Sequence, residues 1–381
     1  MSDQDLSTRS VAIAGAWGYI GRKFLNAANE LGIRPYVHDP GPMPDDVDAD
    51  RLTRVAEAVR FYQLPVDFFH LALHPEHRQL AYDLLLERAR REPFLMLCEK
   101  PMATPDNPET CGSMVDAAQD LKAIVLYDFP ELFDEITRRI EDFLGSFGHV
   151  RVTEIQVTRS KDREDPTNPR NYKRMVPIQY QESVHCLAFV LHLLGKLRGD
   201  LASVFESGLS VRAQAEPYIA PNPEDYPHVV DGRCRFELTL GQISVVGHTD
   251  FKSGATWTKR RVLAGTADGK PFRIEAEYLE GHKRLIINGV DQGCDPAADS
   301  YRQVLVTGSR WQRSEDPRTL MTGVFPNPAF ARLTYQLSSV LWRSSIDGVE
   351  IRLPSVSDLI AFDARFRAQL PNLPRYGTSA D

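Results

Sequence analysis

Apolar positions in the first 130 residues come as short bursts separated by stretches of helical period. Val11–Ala14 is such a burst; it passes through GAWGYIG into RKFLNAANELG, whose apolar residues recur at helical spacing. Beyond Gly32, IRPYVHD reads as a second short strand ending at Asp39, and a helical stretch over 50–62 leads to a third, VDFFHLAL. HPEH opens another helix that runs to Arg91, FLMLCE (94–99) is a fourth strand, and AAQDLKAIVLYDF supplies a helix end and a fifth strand. Strands alternating with helices predict a parallel, doubly wound sheet.

From about Val150 the period changes. RVTEIQVTRS alternates apolar and polar positions, and RCRFELTLGQISVVGHTDF reads as two strands joined near Gly241. Turn signals recur at Asp268-Gly269, Glu280-Gly281 and Asn288-Gly289, the spacing of a mostly antiparallel sheet. One long helix, roughly Gln179 to Leu194, interrupts it, and EPYIAPNPEDYP (216–227) reads as a long ordered loop.

The 381 residues exceed what one core normally serves, so two domains are expected, 1–130 and 131–381. A formal net charge of −7 argues against nucleic-acid and anionic-membrane partners, which need a clustered basic face. The local run Arg88-Ala89-Arg90-Arg91 lies between Glu87 and Glu92 and reads as a solvated helix face. Five scattered cysteines form no CxxC pair, no apolar stretch approaches the roughly 18 residues of a membrane span, and the N-terminus is polar. A reduced, soluble, cytoplasmic protein is the expectation.

Gly15, Gly18 and Gly21 stand three apart between the first strand and the first helix. Glycines there permit a tight turn, backbone approach to a pyrophosphate and close helix–strand packing, with the phosphate at the helix N-terminus. The turn Gly15-Ala16-Trp17-Gly18-Tyr19-Ile20-Gly21 is therefore a candidate dinucleotide cradle, with Ala16 where the commoner fingerprint has its first glycine. Asp39 closes the second strand; a carboxylate there can bind ribose hydroxyls and would repel a 2′-phosphate, which favours NAD over NADP. Glu99 and Lys100 end the fourth strand, where parallel sheets bind ligands. A lysine so placed can donate a hydrogen bond to a substrate oxygen during hydride transfer, or depress the pKa of a nearby base.

These segments resemble the glucose–fructose oxidoreductase/inositol dehydrogenase (Gfo/Idh/MocA) family. The likeness rests on the glycine turn, on ALHPEH (72–77) in place of that family's TPxxxH, on CEKP (98–101), and on YDFPELFDEI (127–136), where the family crosses to its second domain. It implies an α/β fold: an N-terminal Rossmann doubly wound parallel sheet plus a C-terminal α+β domain with an open-faced, mostly antiparallel sheet. It further implies that Lys100 is catalytic, that Glu99 and Pro101 shape a nicotinamide pocket, often with a cis peptide before the proline, and that His74, Pro75 and His77 line the cofactor side. Homodimers or homotetramers would cover the open sheet face.

The family's second-domain helix carries an Asp, a His four residues later, and a Gly ten beyond that. His185 and Gly195 keep this spacing in IQYQESVHCLAFVLHLLG, which implies that His185 is the acid/base. Gln181 stands where the aspartate would be and Ala188 where a second acid often falls. Gln181 can bind a hydroxyl but cannot take its proton. Glu182 is a candidate replacement, and Tyr180 a further one if a lysine lowers its pKa. Glu182-x-x-His185 also matches a carboxylate–histidine metal pattern, but no second copy appears and no metal is expected. In the loop at 160–175, Arg170, Lys173 and Arg174 could hold an anionic group, or be solvated beside Asp162, Glu164 and Asp165. The expectation is NAD-dependent interconversion of a secondary alcohol and ketone on a sugar, cyclitol or related small polar metabolite. Two other readings stand beside it: redox-neutral sugar processing with tightly held NAD, and a non-catalytic nucleotide-binding regulator.

Overall fold

A computed structural model describes residues 9–74, 77–103, 109–167, 176–218, 231–251 and 257–369. The chain forms two compact units. The first holds Met1–Ala103, Asn107–Glu135 and Asp299–Arg332; the second holds Thr104–Asp106, Ile136–Ala298 and Leu333–Asp381. The single boundary expected near residue 130 is thus joined by a return of the chain at Asp299, which periodicity did not mark.

In the first unit β1 (Val11–Ala14), β2 (Tyr36–His38), β3 (Thr53–Arg54), β4 (Phe68–Leu71), β5 (Leu95–Glu99) and β6 (Ile124–Asp128) form one parallel sheet in the order β3-β2-β1-β4-β5-β6. This is the doubly wound order, which reverses direction between β1 and β4. Every residue of β1, β4, β5 and β6 is buried, which is why these strands read as apolar runs rather than alternating ones. The helix expected over 50–62 is instead a 3₁₀ turn (Ala49–Arg51), β3 and a short helix (Ala58–Tyr62). Asp48 caps the turn by accepting from Asp50 N, and the N–H groups of Thr53 and Val55 donate to Pro35 and Val37 in the neighbouring segment. Sheet pairing outweighs helical period there.

The returning segment closes the free edge of β6. Tyr127 N donates to the Pro326 carbonyl at 2.7 Å, and Val125 N to the Met321 sulfur at 3.1 Å. Its helix Ser300–Ser314 is fixed by Thr307 Oγ1 donating to the Phe133 carbonyl and by Trp311, whose ring lies 4.8 Å from Phe133 and 5.2 Å from Phe325.

The second unit is built on nine strands. They are β7 (Val150–Ser160), β8 (Leu209–Pro217), β9 (Asp231–Leu240), β10 (Ile243–Asp250), β11 (Thr258–Ala267), β12 (Lys270–Glu277), β13 (Arg284–Ile287), β14 (Val290–Asp291) and β15 (Ile351–Leu353), ordered β14-β13-β12-β11-β7-β10-β9-β8-β15. All pairs are antiparallel except β7 with β10. One face is apolar and buried. The other presents Gln156, Arg235, Glu237, Thr239 and Ser244, with Val246, Val262 and Ile286 among them. A polar face of this kind can stay wet, so hydrophobic burial alone does not require a cover. The long helix expected over 179–194 begins as a π-turn (Gln179–Ser183) and continues as an α-helix, Val184–Arg198, until Gly199 takes the left-handed conformation at φ 87°.

If the returning segment is integral to the first unit, Trp311→Ala should destabilise that unit by about 2 kcal/mol or more, somewhat below the cost of a fully buried aromatic. Urea denaturation followed by far-UV circular dichroism would measure it. An unchanged midpoint would show that the segment merely rests on the unit.

Candidate functional site

The glycine turn has the geometry its spacing suggested. Gly15 sits at φ +72°, and a Cβ there would lie 2.5 Å from the Ala72 carbonyl oxygen. A Cβ on Gly21 would lie 2.1 Å from the Gly15 carbonyl oxygen, so the helix Tyr19–Glu30 can approach its own turn only without a side chain at that position. Gly18 is the residue before the helix, and no side chain caps the first turn. A phosphate can take the place of such a cap. Ala16 is fully buried, Trp17 and Ile20 are half-buried, and Tyr19 is exposed.

Asp39 binds the turn to the exit of β2. Its Oδ2 accepts from Trp17 N at 3.1 Å and its Oδ1 from Gly41 N at 2.9 Å, while the Trp17 indole donates to the Gly41 carbonyl. A carboxylate has about four acceptor sites, so two remain for ribose hydroxyls. The turn, the uncapped helix and this carboxylate together fit a dinucleotide.

The exits of β4, β5 and β6 carry the polar groups. His74 and His77 are exposed, with ring centroids 6.5 Å apart and His77 N donating to the His74 carbonyl; Pro75 lies outside the described residues. Lys100 is half-buried, and the Lys100–Pro101 bond is cis. Behind Lys100, the buried Glu99 carboxylate pairs with His70 Nε2 at 3.1 Å and lies beside Asp128 in the β5–β6 register. Sequence reasoning passed over His70 and Asp128. Their signal was a polar residue interrupting an apolar strand near its carboxyl end.

Protonation organises this cluster. Burial lowers the His70 pKa more than Glu99 raises it, so the ring is neutral and donates from Nε2. Burial raises the Asp128 pKa well above the aspartate range, and the Glu99 charge adds to the effect. For Glu99 burial acts upward, but the hydrogen bonds from His70 and Asp128 and the charge of Lys100 outweigh burial and leave the pKa lowered. One proton, on Asp128, therefore satisfies the two carboxyl groups. His70, Glu99 and Asp128 place ligand atoms within 4.8 Å of one another, as a cation site would, but this proton already accounts for their approach.

In the second unit the candidates divide. Glu182 is buried between Arg159 Nε and Lys161 Nζ, the latter at 2.9 Å. Its carboxylate is committed to two cations and does not stand open as a substitute for the missing aspartate. Tyr180 is likewise a core residue: it is 1% exposed, its hydroxyl donates to Ser339 Oγ at 3.0 Å, and its ring packs on Tyr335 and Trp342. Gln181 is half-buried and His185 is buried, on the π-turn and the helix that follows it. Such wide turns often mark functional sites. His192 is occupied by Glu141 at 2.6 Å. Arg159 and Lys161, on and just after β7, were not singled out from the sequence because their partner lies more than 20 positions away. Arg170, Lys173 and Arg174 lie outside the described residues. Lys100 belongs to the first unit and His185 to the second.

No family model matches the chain, and no curated protein matches it. Solved structures do. A myo-inositol dehydrogenase from Corynebacterium glutamicum is 15% identical, with a TM-score of 0.62 over 91% of this chain and 99% of that one. Levoglucosan dehydrogenase in complex with NADH and L-sorbose is 12% identical, with a TM-score of 0.65 over 91% and 99%. A super-repressor mutant of Gal80p from Saccharomyces cerevisiae is 14% identical, with a TM-score of 0.65 over 92% and 98%. The chain therefore has the two-part fold that the sequence resemblance implied.

The buried proton has a consequence for stability. Because the folded pKa of Asp128 exceeds its unfolded value, the folded state holds more protons between those two values. Its contribution is then greatest below the unfolded value and declines as pH rises toward the folded one. Asp128→Asn, which keeps a donor toward Glu99 without a titrating proton, should remove that decline. Urea midpoints at about pH 5 and about pH 8 should converge in the variant and diverge in the parent; parallel profiles would contradict the assignment.

Proposed function

We propose that this chain is an NAD-dependent oxidoreductase that interconverts a secondary alcohol and a ketone on a small polar metabolite such as a sugar or cyclitol. One observation carries the reading. At the carboxyl ends of a single doubly wound sheet, the first unit gathers an uncapped glycine turn, an acid after β2 and a half-buried lysine after β5. Doubly wound parallel sheets bind their ligands at those ends. The dinucleotide, when bound, supplies the hydride acceptor or donor.

The residues do the rest. Gly15, Gly18 and Gly21 admit the pyrophosphate to the helix N-terminus, and the two remaining acceptor sites of Asp39 take ribose hydroxyls. Asp39 also sets NAD above NADP, because a 2′-phosphate would meet its charge. Lys100 donates a hydrogen bond to the reacting oxygen, with the buried Glu99 carboxylate next to it in the chain. His185 carries the proton, and Gln181 orients a hydroxyl without titrating. Solved structures of similar fold, a myo-inositol dehydrogenase and a levoglucosan dehydrogenase in complex with NADH and L-sorbose, support this substrate class. A cytoplasmic homodimer or homotetramer accompanies the reading.

A second reading, a nucleotide-binding regulator without turnover, is favoured by Gln181 standing where an acid would and by Glu182 being spent on Arg159 and Lys161. A repressor of the same fold, Gal80p, gives it a precedent.

Fluorescence titration of the purified protein with NADH and NADPH is the test, followed by a metabolite panel with NAD. NADH should bind at least about tenfold more tightly than NADPH, a difference of about 1.4 kcal/mol. Lys100→Ala and His185→Ala should each lower turnover by about 10²-fold or more with cofactor binding retained. Binding of neither nucleotide would overturn the proposal. Cofactor released at near one per chain on denaturation, with no net NADH change during turnover, would favour redox-neutral chemistry. Binding without turnover would favour the regulator.

A further inference from the structure

Among the described residues of the first unit Arg78 is the most deeply buried cation, 1% exposed, and none of them gives it a hydrogen-bonded carboxylate. Burying a cation without a counter-ion is costly. Its place adds to that cost, because Arg78 is the residue before the helix Gln79–Ala89, at the positive end of the helix dipole. The one charge that acts on it is that of the ionised Glu99, at longer range than a hydrogen bond. The Cys98 thiol is pushed up to about 12 by burial, and the hydroxyls of Tyr82 and Tyr127 are also raised by burial, so all three remain neutral.

What Arg78 does possess is two backbone carbonyls. Nε donates to the Leu73 carbonyl at 2.8 Å, just after β4, and Nη1 to the Pro101 carbonyl at 2.9 Å, just after β5. Pro101 directly follows Lys100. The guanidinium fork therefore ties together two loops that leave neighbouring parallel strands. Glycine turn and Asp39 lie at the exits of β1 and β2, the other half of the sheet. In a doubly wound sheet the two halves serve the two halves of a dinucleotide.

We infer that Arg78 is a positioning residue for the nicotinamide half of the cofactor site, locking the loop that carries Lys100 to the loop that follows β4. Its cost is tolerated because a planar, rigid donor pair fixes both loops at once, which no neutral side chain of similar size can do. The inference rests on the dinucleotide reading above, and its test separates the two.

Two probes suffice: NADH, and ADP-ribose, which lacks the nicotinamide. Wild-type protein, Arg78→Met and Arg78→Lys are titrated with each, and melting temperatures are recorded. Arg78→Met should weaken NADH by about tenfold or more while changing ADP-ribose by less than about twofold. Arg78→Lys keeps the charge but cannot span both carbonyls, so it should show the same selective loss in smaller measure; it also serves if Arg78→Met does not fold. Equal weakening of both probes, tracking a fall in melting temperature, would reduce Arg78 to a structural residue and overturn the inference. So would NADH affinity unchanged in both variants. Wild-type protein that binds neither probe would instead sink the dinucleotide reading on which the inference stands.

Discussion

A parallel sheet covered on both faces leaves little room for a polar side chain along its strands. Such a group must sit at a strand end, where the chain turns toward solvent or ligand, or be neutralised in place. The first unit obeys this constraint throughout. Apart from His70 inside β4, its buried strands are apolar up to their last residues, and its ionisable groups crowd the exits of β2, β4, β5 and β6. Those groups then solve one another's burial. His70 gives a neutral hydrogen bond to Glu99, Asp128 keeps its proton beside the same carboxylate, and Arg78 is held by carbonyls rather than by an acid. Lys100 follows Glu99 directly, so the charge on each of these groups bears on the role proposed for its amine.

What the sequence made legible was whatever is local. Apolar runs marked β1, β4, β5 and β6, the three glycines marked a turn with real steric need of them, and EKP marked the lysine at a strand end. Long-range pairings were not legible. Glu182 looked available because Arg159 and Lys161 sit on and just after another strand, and Tyr180 looked available because Ser339 and Trp342 lie some 160 positions on. The helical period over 50–62 misled for a related reason: β3 exists only because β2 is there to pair with it. Periodicity reports what one segment would do alone, and edge strands and buried ion pairs are decisions made between segments.

The second unit shows the same economy with a different result. Its sheet hides one apolar face and turns a polar one outward, while Glu182 is fixed deep at the start of the main helix by two cations. With Gln181 unable to titrate and Glu182 paired, the proton transfer proposed for this helix rests on His185. The chemistry expected from the second unit thus narrows to a single residue, where the family resemblance implied a pair.

The closure of β6 by Met321 and Pro326 bears on how the protein is made. As a ribosome extends the chain from its N-terminus, all six strands of the first sheet are complete by Asp128, yet the outer strand keeps exposed N–H groups until the chain beyond Asp299 arrives. Through that interval the nascent sheet offers an open edge to any other strand, and the whole second unit up to Ala298 must be synthesised before the edge is sealed. A fragment ending near residue 130 would stay permanently in that state.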